Sequence, residues 1–182
     1  MSYPFFGLVR TGTQLRYTFR VYPTVPQRLR AARLFGCCRV VFNDAVAARR
    51  RAHAEGLPYP SSAELSRKLI TEAKRTEERA WLGEVSSVPL QQALRDADAA
   101  YANFFASIKG KRKGRRMGLP RFKKRSYRQA ARFTRNAGFK LLDDGRLRLP
   151  KLGTRGPGRH SREFAFVLVI WCSWVQFAIM RS

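Results

Sequence analysis

Residues 109–135 read KGKRKGRRMGLPRFKKRSYRQAARFTR, with thirteen Lys or Arg and no acid. No Asp or Glu occurs between Asp98 and Asp143. Such a run cannot enter a core, because an unpaired buried charge costs far more than packing returns. It must lie in solvent or against a polyanion. Phe122, Tyr127 and Phe133 punctuate it, as do Gly110, Gly114, Gly118 and Pro120. That mixture points to a strap fixed at intervals and tracking phosphates, more than to a plain solvated tail. The whole chain carries a net charge of +25 over 182 residues, a self-repulsion that a polyanion neutralises. Nucleic acid is the first partner this implies and an anionic membrane surface the second.

The sequence on either side of the run has clear periodicity. Leu15, Tyr17, Phe19 and Val21 alternate with Arg16, Thr18 and Arg20, which predicts a half-buried strand with a basic outer face, ended by Tyr22-Pro23. Thr24-Val25-Pro26-Gln27 has the capping-box pattern. A helix follows to about Glu55, with Leu34, Cys38, Val41, Ala45 and Ala48 on one face. Gly36 is expected to let it bend or approach a neighbour closely. Of Arg49, Arg50 and Arg51, consecutive on that helix, at least one faces outward. Residues 56–60 (GLPYP) form a loop, and Ser61 with Glu64 caps a helix carrying Leu65, Leu69, Ile70 and Ala73. Trp81-Leu82 is expected to close this segment against the core.

The clearest helix runs from Val88 to Ile108, with Ser87 as N-cap and Pro89 in the first turn. Leu90, Leu94, Ala97, Tyr101, Phe104 and Ile108 form its core stripe, while Gln91, Gln92, Arg95, Asp96 and Asn103 lie away from it. Short loops between these helices imply an antiparallel bundle. After the basic run, residues 139–142, 143–145 and 146–150 read as strand, tight turn and strand. The fold class is therefore α+β, a helical bundle inserted between an early strand and a late hairpin. Its segments are a disordered N-terminus (1–14), a first strand (15–23), a helical domain (24–108), the strap (109–131), further strands (132–153) and a tail (154–182).

Cys37, Cys38 and Cys172, with His53 and His160, supply no zinc-ligand spacing. They read as packing residues of a protein in a reducing cytoplasm. The N-terminus lacks the pattern of a signal peptide. Residues 164–180 are apolar except for Ser173 and Gln176. Their length is at the lower limit for a membrane span. A buried helix or a strand pair fits equally, as a cover for an open sheet edge or as an aggregation site, and so does sequence never selected to fold.

Six motifs in register resemble one family: LRYTFRVYPT (15–24), FGCCRVVFND (35–44), VPLQQALRDADAAYANFF (88–105), GLPRFKKR (118–125), RFTR (132–135) and DGRLRLPKLG (144–153). Together they look like the N-terminal part of TnpB, also called OrfB, the insertion-sequence "transposase" family related to type V CRISPR effectors. The resemblance implies an RNA-guided DNA endonuclease in which a helical recognition domain, helix-turn-helix-like, interrupts a wedge-type β-barrel, here incomplete. It implies guide RNA and DNA as partners. By motif, Gln91 matches a base-reading position, Thr134 and Arg135 match wedge positions near the same DNA, and Tyr59 matches a recognition-loop tyrosine. Gln can bridge adenine, and Thr offers a methyl group to thymine. The strap then supplies the backbone contacts: Lys111, Arg112, Lys113, Arg115, Arg116, Arg121, Lys123, Lys124, Arg125, Arg128 and Arg132.

The departure from the family lies after KLG, where the resemblance calls for catalytic carboxylates, a zinc ribbon and two-metal hydrolysis. The full family would use Mg and Zn. Beyond Asp144 the chain has one acid, Glu163, and one cysteine, Cys172. Hydrolysis of this kind needs several carboxylates around the metal ions. The expectation is a nucleic-acid-binding fragment with no catalytic centre, no metal and no cofactor of its own, ended by truncation or a frameshift. The alternatives are a nuclease completed in trans and a basic membrane-surface protein anchored by residues 164–180.

Overall fold

Three helical segments pack up, down and up, and cross-contacts fix their directions. The computed structural model describes residues 16–21, 23–134, 137–143, 146–155, 166–171 and 174–179. The first helix, α1, spans Val25–Ala54. Its predicted capping box is present, the Thr24 N–H donating to Gln27 Oε1 at 3.1 Å. It ends where Gly56 takes φ +66° and the Leu57 N–H reaches back to the Ala52 carbonyl at 2.8 Å. That left-handed turn suits Gly because no Cβ opposes it.

The return segment begins with α2, Ser62–Ser66, where Ser61 Oγ accepts from the Glu64 N–H at 3.1 Å as the sequence predicts. It is not one regular helix. A π-turn over Arg67–Glu72 and 3₁₀ turns over Ala73–Arg75 and Glu77–Glu84 carry it onward. The wider π spacing buries Leu65 and Ile70, five residues apart. Leu82 enters the core at 1% exposure, but Trp81 does not. Its indole N–H bonds its own turn, at the Glu78 carbonyl, and Arg79 stacks over the ring.

The third long helix, α3, spans Ser87–Ile108, so the N-cap is Ser86 and Ser87 is the first helical residue. Cys38 meets Pro89, Val46 meets Tyr101 and Arg49 meets Asp98, so α1 and α3 run in the same sense. Arg79 to Asp44 and Arg33 to Glu84 show that the return segment runs against α1. The predicted stripe is buried through Leu90, Leu94, Ala97 and Tyr101, then emerges: Phe104 is half-buried and Ile108 exposed. Gln92, expected outside, is buried where α3 meets the strands.

Gly36 does not mark a close approach, since a Cβ there would meet nothing within 4 Å. Gly36→Ala should therefore stabilise the chain by about 0.5–1 kcal/mol through helix propensity alone. Urea denaturation checks this, and a lower midpoint would show a contact that the fold does not display.

Two sheets complete the α+β architecture. Beyond the strap, β2 (Ala130–Thr134), β3 (Lys140–Leu141), β4 (Leu147–Leu149) and β5 (Gly153–Arg155) follow in order. The predicted hairpin pairs Lys140 with Arg148 and Leu141 with Leu147, and β5 adds a third strand beside β4. The apolar tail supplies β6 (Phe166–Trp171) and β7 (Trp174–Ile179). With β1 (Arg16–Val21) and β2 they make a sheet of order β1-β6-β7-β2. Of the open readings of the tail, the strand pair is the one observed, and it lies inside the sheet instead of capping an edge. A continuous apolar run suits such central strands. No helix among the described residues is long and apolar enough to cross a membrane. Phe133, Leu147, Leu149 and Leu152 join α1 and α3 in one core. The N-terminal fourteen residues, Arg135, the turn at Asp144-Gly145, His160 and Cys172 lie outside the described residues.

Candidate nucleic-acid interface

The strap is held by its backbone, and the holding residues lie on one stripe of α1. Arg39, Asn43 and Arg50 are spaced by four and seven residues, so they project on the same side. The Asn43 amide engages both backbone groups of Lys123. Its Oδ1 accepts from the Lys123 N–H at 2.8 Å, and its Nδ2 donates to the Lys123 carbonyl at 3.1 Å. Arg50 Nη2 donates to the Pro120 carbonyl at 2.7 Å, and its guanidinium lies 4.8 Å from the Phe122 ring centroid. Arg39 Nη1 donates to Gln129 Oε1 at 3.2 Å, and Gln129 Nε2 gathers the carbonyls of Lys124, Arg125 and Tyr127. Pro120 is buried, and Phe133 anchors the far end at 0% exposure.

This clamping settles the directions of the cations. With the backbone of residues 120–129 turned to α1, Arg121, Lys124, Arg125 and Arg128 are exposed, as are Lys111, Arg112, Lys113, Arg115 and Arg116 ahead of the clamped stretch. Two members of the expected contact set are placed differently. Lys123 is half-buried with Nζ 4.0 Å from the Phe42 ring centroid, and desolvation holds its ammonium below the usual lysine range. Arg132 is half-buried and forms an ion pair with Asp96 on α3 while also donating to the Gln92 carbonyl.

The Asp96–Arg132 pair joins two of the expected base-contact positions. Along β2, Ala131 and Phe133 point into the core, so Arg132 and the half-buried Thr134 share the opposite face. Desolvation first, then the nearby Arg95, lowers the pKa of Arg132. Arg95 is one turn beyond Gln91, and both are exposed. Gln91 and Thr134 therefore flank the same junction of α3 and β2. Tyr59 is elsewhere, its ring centroid 6.1 Å from both Tyr101 and Phe105. At ~1.5 Å per helical residue, that is roughly 15–20 Å along α3 from Gln91.

Arg49 positions Tyr59. Its side chain is 1% exposed and pairs with Asp98, whose second oxygen accepts from Ser62 Oγ at 2.7 Å. The guanidinium lies 5.0 Å from the Tyr59 ring centroid and 5.1 Å from that of Tyr101. The three consecutive arginines thus divide: Arg49 holds Tyr59 and its loop, Arg50 holds the strap, and Arg51 pairs at the surface with Glu55. Asn43 and the roles of Arg39 and Arg50 are absent from the sequence-based set, although their spacing of four and seven residues on one side of the helix is a visible signal.

Neither described cysteine is poised for chemistry. Burial pushes Cys37 up to about 11 and Cys38 to about 12, and the Cys38 thiol donates to the Pro89 carbonyl. The thiolate is the reactive form, so a thiol reagent at pH 8 should leave both unmodified in the native chain. Rapid labelling of either, located by mass spectrometry, would contradict this packing. Among the described residues no group of three or more His, Cys, Asp or Glu could hold a metal ion.

A helix-turn-helix domain of the OrfB type found in IS605-like elements matches residues 13–57. Here those residues contain β1 and the single long helix α1. A Streptomyces pristinaespiralis protein named as an RNA-guided DNA endonuclease is 45% identical over 122 residues, covering 66% of this chain and 28% of its own length. InsQ of Escherichia coli K12, named likewise, is 37% identical over 138 residues, covering 75% of this chain and 32% of its own. The chain thus spans about a third of the length of these relatives. Through its matched domain and these relatives, the chain belongs to the TnpB/OrfB family and carries that family's N-terminal part.

Proposed function

We propose that this chain is a nucleic-acid-binding unit of a transposon-encoded, RNA-guided system, which holds guide RNA and contacts target-adjacent DNA. The observation that carries this reading is the clamped strap: α1 takes the backbone of residues 120–129, and nine lysines and arginines of the strap set are left in solvent. Phosphates are the chemistry that such an array fits, and contacts of this kind position without specifying. In this reading β1, β2 and the small sheet are wedge-type strands. Gln91 and Thr134 reach base edges at one junction, and Tyr59 contacts the same DNA about five base steps away, given a ~3.4 Å rise. Arg135, the next residue in sequence, is assigned to the same DNA in this reading.

This reading assigns the residues present a role in binding and no hydrolytic step. Two-metal hydrolysis needs several convergent carboxylates, and the family's Mg and Zn find no fitting donor set among the described residues. The one acid after Asp144, Glu163, cannot supply such a set.

A salt titration of binding to structured RNA and to duplex DNA tests the proposal. Each neutralised phosphate contributes about −0.9 to the log–log slope on duplex DNA, so full engagement of the exposed set gives a slope near roughly −8. A flat response would overturn the reading.

A further inference from the structure

The last turns of α3 carry an exposed aromatic residue, Phe105, to which no contact is assigned above. Phe105 is 42% exposed although three rings surround it, Phe104 at 5.4 Å, Tyr101 at 6.1 Å and Tyr59 at 6.1 Å with a 74° interplanar angle. Leu57 and Ile108 beside this cluster are 56% and 54% exposed. Gln91, Arg95, Ala102 and Phe105 fall on one exposed side of the helix, so this surface continues the face that begins at Gln91.

The strap then folds back against the same helix end. Gly110, at φ +66°, lets the Lys111 N–H reach the Ala106 carbonyl at 2.9 Å, and the Met117 N–H returns to Ser107 Oγ at 2.9 Å. Residues 109–116 therefore carry six exposed cations at the end of α3 that bears Phe105. Among the described residues none of the six forms a salt bridge with an acid.

We propose that Phe105, braced by Tyr59 and Tyr101, is a stacking platform for unpaired RNA bases, with the cations of residues 109–116 holding the flanking phosphates. This rests on the nucleic-acid reading above and adds to it a strand state and a base-contact residue. The two features are complementary: every base offers a π-face to a fixed ring, and a strand of phosphates matches cations that have no acids. A duplex offers no base face without unstacking, whereas RNA loops and ends present theirs already splayed. The six neighbouring cations depart from the charge-depleted centre of an ordinary protein interface.

The experiment uses the full chain, a short unstructured RNA carrying 2-aminopurine, and a blunt RNA duplex. Phe105→Ala should weaken single-strand binding about tenfold and remove the fluorescence change on binding, within the range stacking supports. Duplex affinity and salt slope should stay unchanged. Phe105→Leu, which keeps the apolar contact with Tyr59 and Tyr101, should behave like Ala, and Phe105→Trp like wild type. Far-UV circular dichroism confirms that each variant is folded. Leu binding as tightly as Phe, or equal losses on single strand and duplex, would overturn the platform while leaving the phosphate strap intact. Equal Phe105 dependence on single-stranded DNA would overturn the assignment to RNA. Failure of the wild-type chain to bind either RNA would remove both this inference and the reading beneath it.

Discussion

Ending the chain at Glu163 should send the protein to the insoluble fraction. The tail is the middle of the larger sheet: β6 pairs with β1 from Arg16↔Trp171 to Val21↔Phe166, and β7 pairs with β2 from Ala130↔Ala178 to Thr134↔Trp174. Without it, β1 and β2 lose their only ladder partners among the described residues. Each lost ladder bond costs ~0.5–1.5 kcal/mol net, and unpaired strands template aggregation. Val169→Pro tests the same pairing without shortening the chain. Val169 lies between Thr18 and Gln176 in a central strand, where proline removes a ladder bond. Centrifugation and far-UV circular dichroism on both variants give the result. A truncated chain that stays monomeric with unchanged strand content would mean that the tail is dispensable to the sheet.

The pairing of the tail shows where sequence reasoning stopped. Length and hydropathy of residues 164–180 were compatible with a span, a helix or two strands, because periodicity cannot separate short, fully apolar runs. What decides is long-range: β1 and β2 each lack a partner, and they are more than a hundred residues apart in sequence. Local signals did better. The capping box at Thr24, the Ser61 cap and the hairpin register at Lys140 and Leu147 depend on neighbours within a few residues, and all were legible.

The site was legible in its charge and illegible in its supports. Gln92 looked solvated from helical phase, yet strand β2 covers it, and its carbonyl accepts from Arg132. Trp81 looked apolar enough for the core, yet its indole N–H is satisfied in its own turn at the surface. Asn43 sits in the FGCCRVVFND motif, but nothing local says that its amide will meet a backbone eighty residues on. Helix phase identifies a face. It does not say which loop will cover that face, and here a loop too basic to be buried is fixed by hydrogen bonds to its backbone.

Those supports sharpen the largest functional effect expected of the strap. Replacing Arg121, Lys124, Arg125 and Arg128 together by Gln should weaken binding to RNA and DNA alike and flatten the salt slope by about 3 to 4, at roughly 0.9 per phosphate. Lys123 is omitted because its ammonium packs against Phe42 and its pKa is lowered by burial, so its loss disturbs packing instead of a phosphate contact. The four chosen side chains are exposed. The strap path should survive, since Asn43 and Gln129 hold residues 123–127 through backbone carbonyls and an N–H, not through the replaced side chains. Asn43→Ala is the complementary test. It leaves every cation in place but strands two backbone groups of Lys123, at ~1–3 kcal/mol for each group denied water. Binding should fall through disorder of the array, with a smaller change in slope than the quadruple variant shows. Selective loss on one sequence by the quadruple variant would assign these residues to base reading. An unchanged slope would show that phosphates are neutralised elsewhere on the chain.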